Sequence, residues 1–292
     1  GAEIRQSTIE TPMPALANEV IEKHNIQRLG FEEAYATVGE YNSWKEKLKC
    51  KELVPAAKLL EELRAVKEPS EIENLIAAQR IAEKALEETL EFIKIGRTEQ
   101  EVSAFLQYRM LIHGSEKPSF EPIVVSGINS SMPHGKPSGK ALEDGDFLTM
   151  DFGAMVGGYC SDMTRTVAIG HVTDEMARVY HTVLAAQQAG IAAAKAGVMG
   201  KDIHAAAAKV ISDAGYGEYF GHGFGHGLGI ELHENPGAGQ TASVPLPAGA
   251  VISAEPGIYL PGRFGVRIED VLILQEGGCM DIMKAPKELL VL

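Results

Sequence analysis

Phe147-Leu-Thr-Met-Asp-Phe-Gly-Ala-Met-Val-Gly-Gly-Tyr-Cys-Ser-Asp-Met-Thr-Arg-Thr-Val-Ala-Ile169 reads as two strand-like runs joined through Val156-Gly157-Gly158. With Val156-Gly157 as a two-residue turn, Met155 pairs with Gly158, and stepping back sets Asp151 opposite Asp162. Directly opposed side chains on one sheet face have Cβ atoms ~5 Å apart. Two carboxylates placed there repel, and a buried pair needs a counter-charge, of which a metal ion is the strongest available. Ala250 to Leu260 and Phe264 to Leu274 repeat the pattern around Pro261-Gly262-Arg263. With those three residues as the loop, Leu260 pairs with Phe264, Glu255 falls opposite Glu269, and Arg267 shares the face of Glu269. A turn slipped by one position would break either pairing. Alone, Asp162 reads as a solvent-facing strand residue. Glu255, in Val-Ile-Ser-Ala-Glu-Pro-Gly-Ile, does not, because little around it is polar.

Between the hairpins, Gly221-His222-Gly223-Phe224-Gly225-His226-Gly227-Leu228-Gly229 alternates glycine with other residues and runs on to His233-Glu234-Asn235-Pro236. Glycine lets backbone approach closely, which suits the wall of a site. A phosphate-binding glycine loop should follow a strand and open a helix; here a strand and a Pro turn follow instead. Imidazole is a common nitrogen donor to divalent transition metals. Two Asp, one His and two Glu make a ligand set for two hard or borderline ions. Spacing leaves open which of His222, His226 and His233 ligates and which serve substrate or protons. His134, in the turn-rich Ser131-Met-Pro-His-Gly135, reads by itself as a surface-loop histidine, and His24, His113, His171, His181 and His204 as structural or solvent residues.

The rest of the chain supplies a scaffold. Residues 1–64 read as a small α/β piece, with helices near 14–25, 41–48 and 58–63 and strands near 27–31 and 52–55. Pro69 and a capping box at Ser70–Glu73 open a long amphipathic helix ending near Lys94, and a second box at Thr98–Glu101 opens a helix to about Ile112. Helices are expected again at 174–196 and 201–214, and β-rich blocks at 119–169 and 219–292. Gly96 and Gly197, Val102 and Ile203, and Gly114 and Gly215 are each offset by 101 residues. Residues 65–292 therefore read as two pseudo-symmetric helix-helix-hairpin halves, an α+β fold, facing each other over a shared cleft.

The chain has 292 residues and a formal net charge of -13, which excludes a sequence-independent nucleic-acid binder and a polybasic membrane anchor. The three cysteines, Cys50, Cys160 and Cys279, are widely spaced and read as reduced thiols in a reducing compartment, the cytoplasm. No apolar run reaches a membrane span and no signal peptide is visible. The first residue is not Met, which fits a processed or trimmed product.

Taken together, the motifs D-F-G…S-D, G-H-G-x-G-H-G-x-G…H-E, E-P-G-x-Y and R-x-E-D resemble the pita-bread-fold metallopeptidases. That family holds Xaa-Pro dipeptidases, Xaa-Pro aminopeptidases, methionine aminopeptidases and creatinase. The resemblance covers about residues 65–292 and, more weakly, the residues before them. Residues 1–64 look like only the later part of the family's amino-terminal domain. The resemblance implies that Asp151, Asp162, His226, Glu255 and Glu269 bind two divalent ions, with Asp162 and Glu269 bridging. Mn2+ comes first among the candidates, ahead of Co2+, Zn2+ and Fe2+. It implies that His134, His222 and His233 surround the substrate and that Tyr259 and Arg267 support the site. It further implies an Xaa-Pro peptide substrate hydrolysed by a metal-bridging hydroxide, with Glu255 also moving a proton, and a homodimer. The alternatives are a methionine aminopeptidase, a creatinase-like C–N hydrolase, or a catalytically silent binding module, whose mark would be a missing ligand.

Overall fold

The computed structural model describes residues 3–292. It divides into two compact units, one through Leu63 and one from Arg64 to Leu292. In the first, α1 (Met13–Lys23), β1 (Arg28–Phe31), α2 (Val38–Lys47) and β2 (Glu52–Pro55) precede α3 (Ala57–Ala65). The strands pair in parallel, Arg28 beside Glu52 and Phe31 beside Pro55. Thr37 opens α2 through a reciprocal capping box with Glu40, and Phe31 packs on Tyr41 and Trp44.

The second unit begins with α4 (Pro69–Phe92) and α5 (Glu99–Ile112). The box that opens α4 lies two residues earlier than Ser70–Glu73. Glu71 accepts the Glu68 N–H at 2.7 Å, because Pro69 takes the first helical position, where its missing N–H has no partner to lose. The Thr98–Glu101 box forms as expected. Then come β3 (Ile123–Ser126), a 3-10 turn (Gly127–Ser131), β4 (Phe147–Phe152), β5 (Met155–Val156), β6 (Tyr159–Cys160) and β7 (Met163–Ala168). The second half follows: α6 (Asp174–Ala193), α7 (Gly200–Asp213), β8 (Gly225–Gly227), β9 (Glu234–Ala238), β10 (Val251–Ala254), β11 (Gly257–Leu260), β12 (Phe264–Arg267), β13 (Asp270–Gln275) and β14 (Gly278–Asp281). All four repeat glycines take positive φ: Gly114 and Gly215 directly follow the C-caps of α5 and α7, whereas α4 and α6 already end at Phe92 and Ala193, and Gly96 and Gly197 turn the connections to the next helices.

In each half the helix pair covers one face of a sheet. Leu86, Val102, Leu106 and Met110 pack on Leu148, Met150, Phe152 and Met163 of the β3-β4-β7 sheet. Val179, Val183, Ile203 and Ile211 pack on Ile252, Ala254, Leu272 and Leu274 of the β9-β8-β10-β13-β14 sheet. Each such side chain, fully buried, contributes ~1.5–3 kcal/mol. Because side chains alternate along a strand, the other face of the first sheet carries Thr149, Asp151, Thr164 and Thr166; in the second half Tyr259 and Arg267 come from the separate β11-β12 ladder and Glu269 from the break between β12 and β13. These faces interlock: Glu269 N–H donates to the Thr164 carbonyl (3.1 Å) and Thr166 Oγ1 to the Arg267 carbonyl (2.9 Å).

The hairpin registers decide the site. In the first, Gly157-Gly158 is the turn, not Val156-Gly157: Val156 pairs with Tyr159 and Met155 with Cys160. Both turn residues have positive φ (59° and 78°), which glycine accepts and β-branched valine resists. Asp151 therefore stands opposite Thr164, not Asp162. The slip displaces Asp162 by two positions, so it stays on Asp151's face as a diagonal neighbour instead of a direct one. The second hairpin keeps the expected register. Leu260 pairs with Phe264, Gly257 with Arg267 and Ala254 with Asp270, so Glu255 and Glu269 face each other at the break between two ladders of one register.

Among the described residues no helix is long and apolar enough to cross a membrane.

Candidate metal centre

A cavity of about 380 Å³ opens where the two inner faces meet. Asp151, Asp162, His226, Glu255 and Glu269 all line it, as do His134, His222, His233 and Arg267. Tyr259 sits directly behind, bonded to two of them. The fold thus gathers all ten singled-out residues, contributed by the loop after the 3-10 turn, β4, the segment before β7, the Gly-His stretch and the second hairpin.

The glycines make this possible. A Cβ on Gly225 would lie 1.9 Å from the Ser253 carbonyl oxygen, and one on Gly227 2.3 Å from that of Glu234. β8 can lie against β10 and β9 only as bare backbone, and that contact brings His226 to the carboxylates. Its Nδ1 donates to the Gly227 carbonyl at 2.9 Å. Its Nε2 then points at Asp162 Oδ2 (3.4 Å) and Glu255 Oε1 (3.3 Å). Fixing one ring nitrogen on a carbonyl is how proteins orient a metal-binding imidazole.

The electrostatics are those of a cation site. Asp151, Asp162, Glu255 and Glu269 converge on one cavity with Arg267 as the cation among them, bonded to Asp151 Oδ2. Burial, with the charges of Asp162 and Glu255, pushes Asp151 up to about 7 despite Arg267. Burial raises Asp162 as well, and raises Glu269 far above the usual carboxylate range, with the neighbouring carboxylates adding to it. His226 goes the other way: burial would lower it, but Asp162 and Glu255 carry it to about 9. Asp151 Oδ1, Asp162 Oδ1 and Glu269 Oε1 are buried without any hydrogen-bond partner. An orphaned buried carboxylate oxygen is costly, and three in one pocket are lone pairs arranged for a ligand. Atoms of Asp162, His226 and Glu269 come within 4.8 Å of one another, close enough to share an ion. Four carboxylates and an imidazole therefore fit divalent ions of hard to borderline character.

A second chain of bonds leads away from the acids. Arg267 donates through Nη1 to Tyr259 Oη (2.7 Å), and Tyr259 Oη donates on to His222 Nε2 (3.0 Å). His222 Nδ1 donates to the Gly223 carbonyl at 2.8 Å. This order fixes His222 as a neutral imidazole, and burial lowers its pKa further. Burial also holds Tyr259 up at about 12. His233 lies edge-on to His226, ring centroids 4.2 Å apart, and burial together with His226 lowers it. His134 reaches the cavity from an exposed loop.

Thr164 and Ser253 organise the site without having been singled out by sequence, and Glu234 and Asp270, which stood there only as parts of motifs, take structural places. Thr164 Oγ1 donates to Glu269 Oε2 (2.7 Å) and accepts from Arg267 Nε (3.0 Å); its i, i+2 spacing from Asp162 was the available signal. Ser253 Oγ donates to Glu255 Oε1 and receives the His226 N–H, both at 3.0 Å. Glu234, buried beside His233, pairs with Arg64 and with Lys67 (3.0 Å). Asp270 points away from the cavity, where Arg165 (2.9 Å) and Lys287 hold it.

The model of metallopeptidase family M24 matches residues 73–276, and that of the creatinase/prolidase N-terminal domain matches residues 3–66. The chain belongs to metallopeptidase family M24, and its two facing halves are the pita-bread fold that the motifs led one to expect. Among individual relatives, an Xaa-Pro dipeptidase of Pyrococcus furiosus is 40% identical over 268 residues, 91% of this chain and 76% of that protein. A solved Xaa-Pro dipeptidase from Bacillus anthracis is 44% identical with a TM-score of 0.92, covering 96% of this chain and 78% of that one. A solved X-Pro aminopeptidase from Thermotoga maritima MSB8 is 37% identical, also with a TM-score of 0.92, covering 99% of this chain and 81% of that one.

Proposed function

We propose that this chain hydrolyses the Xaa-Pro bond of dipeptides or of peptide N-termini, with two divalent ions held by Asp151, Asp162, His226, Glu255 and Glu269. Asp162 and Glu269 serve both ions, and Mn2+ is the first candidate. The observation that carries this is the convergence of four carboxylates and His226 Nε2 on one cavity, with three buried carboxylate oxygens left without partners. When bound, such ions acidify water and polarise a carbonyl. The chain supplies the rest. Glu255, steadied at Oε1 by Ser253, takes the proton of the attacking water at Oε2. His233 and His134 hydrogen-bond the developing oxyanion or the departing amine. A prolyl nitrogen has no N–H, so the cavity need not satisfy one. Phe120, Ile123 and Leu232 offer the apolar wall that its ring requires. His222 also lines the cavity as a neutral ring, locked through Tyr259 behind it in one hydrogen-bonded chain with Arg267. The similar proteins from Pyrococcus and Bacillus are Xaa-Pro dipeptidases and that from Thermotoga is an X-Pro aminopeptidase, which supports this reading.

The test uses protein stripped of metal and then resupplied with Mn2+ or Co2+. Xaa-Pro dipeptides, Xaa-Pro-Yaa tripeptides and Met-initiated peptides are offered in parallel. Metal-dependent cleavage of Xaa-Pro bonds is expected, and the dipeptide-to-tripeptide ratio assigns the preference. Activity indifferent to chelator would remove the metal mechanism, and cleavage confined to Met-initiated peptides would remove the substrate.

A further inference from the structure

We infer that Glu99 is a positioning residue for His134: a buried carboxylate that clamps both ends of the strap carrying this histidine into the metal cavity. The inference rests on the proposed function for its catalytic consequence, but not for its geometry.

Residues 126–138 leave the end of β3, pass through the 3-10 turn, present Pro133 and His134 to the cavity, and return to the N-terminus of α5. Glu99 lies between the two ends with 0% exposure. Its Oε1 accepts from Ser126 N–H (2.6 Å), Ser126 Oγ (2.9 Å) and Asn129 Nδ2 (3.1 Å). Its Oε2 accepts from Ser138 N–H (2.9 Å) and Ser138 Oγ (2.6 Å). Ser126 at the entry of the strap is thus tied to one oxygen and Ser138 at its exit to the other, while Asn129 Nδ2 also reaches Oε2 (3.3 Å). All these donors are neutral. The nearby Lys140 ammonium is paired with Asp146 Oδ2 (2.5 Å) and touches the cluster only through Ser126 Oγ (3.2 Å). A buried carboxylate without a cation is tolerated only when its lone pairs are filled, and here the groups that fill them belong to the strap.

The opposite side of the strap is held by the second half. Ser130 Oγ accepts the Gly265 N–H (2.9 Å), and the Pro133 carbonyl accepts from Arg267 Nη1 (3.3 Å). His134 stands beside that pinned carbonyl, so its ring position follows from where the strap is clamped. The pseudo-symmetry adds an independent contrast. The 101-residue offset places Gly200 where Glu99 stands, and the Met199–Pro245 bridge matches the Thr98–Ala141 bridge. A Cβ on Gly200 would lie 2.2 Å from the Gly237 carbonyl oxygen. In the second half this place is closed by backbone. The clamp belongs to the half that carries the histidine strap.

Glutamine is the informative substitute, since it keeps the size but presents one acceptor oxygen, leaving an NH2 against the donors at the other end. In Mn2+-loaded full-length protein, Glu99→Gln is expected to lower kcat/KM on an Xaa-Pro peptide by roughly 10- to 100-fold, the scale of a small misplacement. Mn2+ affinity and stoichiometry stay unchanged. The Glu99→Gln/His134→Ala double variant should match His134→Ala within about twofold, because the first residue acts through the second. Losses that multiply in the double variant, an unaffected Glu99→Gln, or a parallel fall in Mn2+ affinity would each overturn the assignment. If Glu99→Gln does not fold, Ser138→Ala, which removes one bond to Oε2, enters the same cycle with a smaller expected loss and the same criteria. A second readout needs no activity. In metal-free protein the His134 imidazole resonances should shift or broaden in the variant, and amide exchange across 127–138 should quicken; if neither changes, the clamp is refuted. Wild-type protein that cleaves no Xaa-Pro peptide would overturn the substrate reading alone, and the resonance and exchange measurements would still decide the role of Glu99.

Discussion

Asp162→Asn is expected to abolish peptide hydrolysis while leaving the metal-free protein at least as heat-stable as the original. The two effects have one cause. Asp162 is buried, its Oδ1 has no partner, and its Oδ2 faces His226. Its carboxyl is raised by burial and by Glu255, so its charge is unfavourable in the empty site. Asparagine keeps the shape and removes that charge, relieving repulsion on Asp151 and Glu269, both of which Asp162 raises. A neutral amide is a poor ligand for hard cations. Losing a ligand proposed to serve both ions should cost several kcal/mol of barrier, about 1000-fold or more in rate. Steady-state kinetics with excess Mn2+, paired with metal-free thermal melts, reads both. A variant with normal activity, or one inactive only because its melting temperature has fallen, would mean that Asp162 is a structural residue.

The second large effect is a coupling between metal, pH and stability. Asp151 has a folded pKa of about 7, above its ordinary value of 3.8. Between these values the folded chain holds a proton that the unfolded chain has released, so stability falls as pH rises through this window. His226 acts in the same direction, since its stabilisation is complete below 6.5 and is lost as pH rises through about 9. The melting temperature of the metal-free protein should therefore fall as pH rises from 3.8 towards about 7. Metal binding requires the deprotonated ligands and releases those protons, and an ion bound only by the folded state stabilises it. The rise in melting temperature on adding Mn2+ should therefore widen from pH 5 to pH 8. A metal-induced rise that is constant or shrinks over that range would place the metal away from these acids.

How much of this was legible from sequence depended on whether local chemistry decided the geometry. The positive-φ positions at Gly96, Gly114, Gly197 and Gly215, and hence the two-half plan, could be read because tolerance of positive φ is a property of the residue itself. The second hairpin was legible because Pro261-Gly262-Arg263 permits one sensible loop. The first was not, because Val156-Gly157-Gly158 offers two turns, and the preference of a type I′ turn for two glycines decides between them. The error did not hide the site, since a turn shift of one residue moves the partner by two and leaves the face unchanged. The supports of the site were harder to see. Glu99 reads locally as an ordinary acid in the first turn of a helix, and its partners Ser126, Asn129 and Ser138 come to it only through the tertiary fold. Lys67 and Glu234 are likewise 167 residues apart and meet only in the folded chain.

The most direct measurement is the anomalous difference map of crystals grown with Mn2+, recorded above and below the manganese absorption edge. Two peaks are expected in the cavity, both touched by Asp162 and Glu269, with Asp151, His226 and Glu255 completing their shells. Manganese bound elsewhere on the chain, or a cavity with no manganese peak while the same preparation hydrolyses Xaa-Pro peptides, would contradict the dinuclear centre.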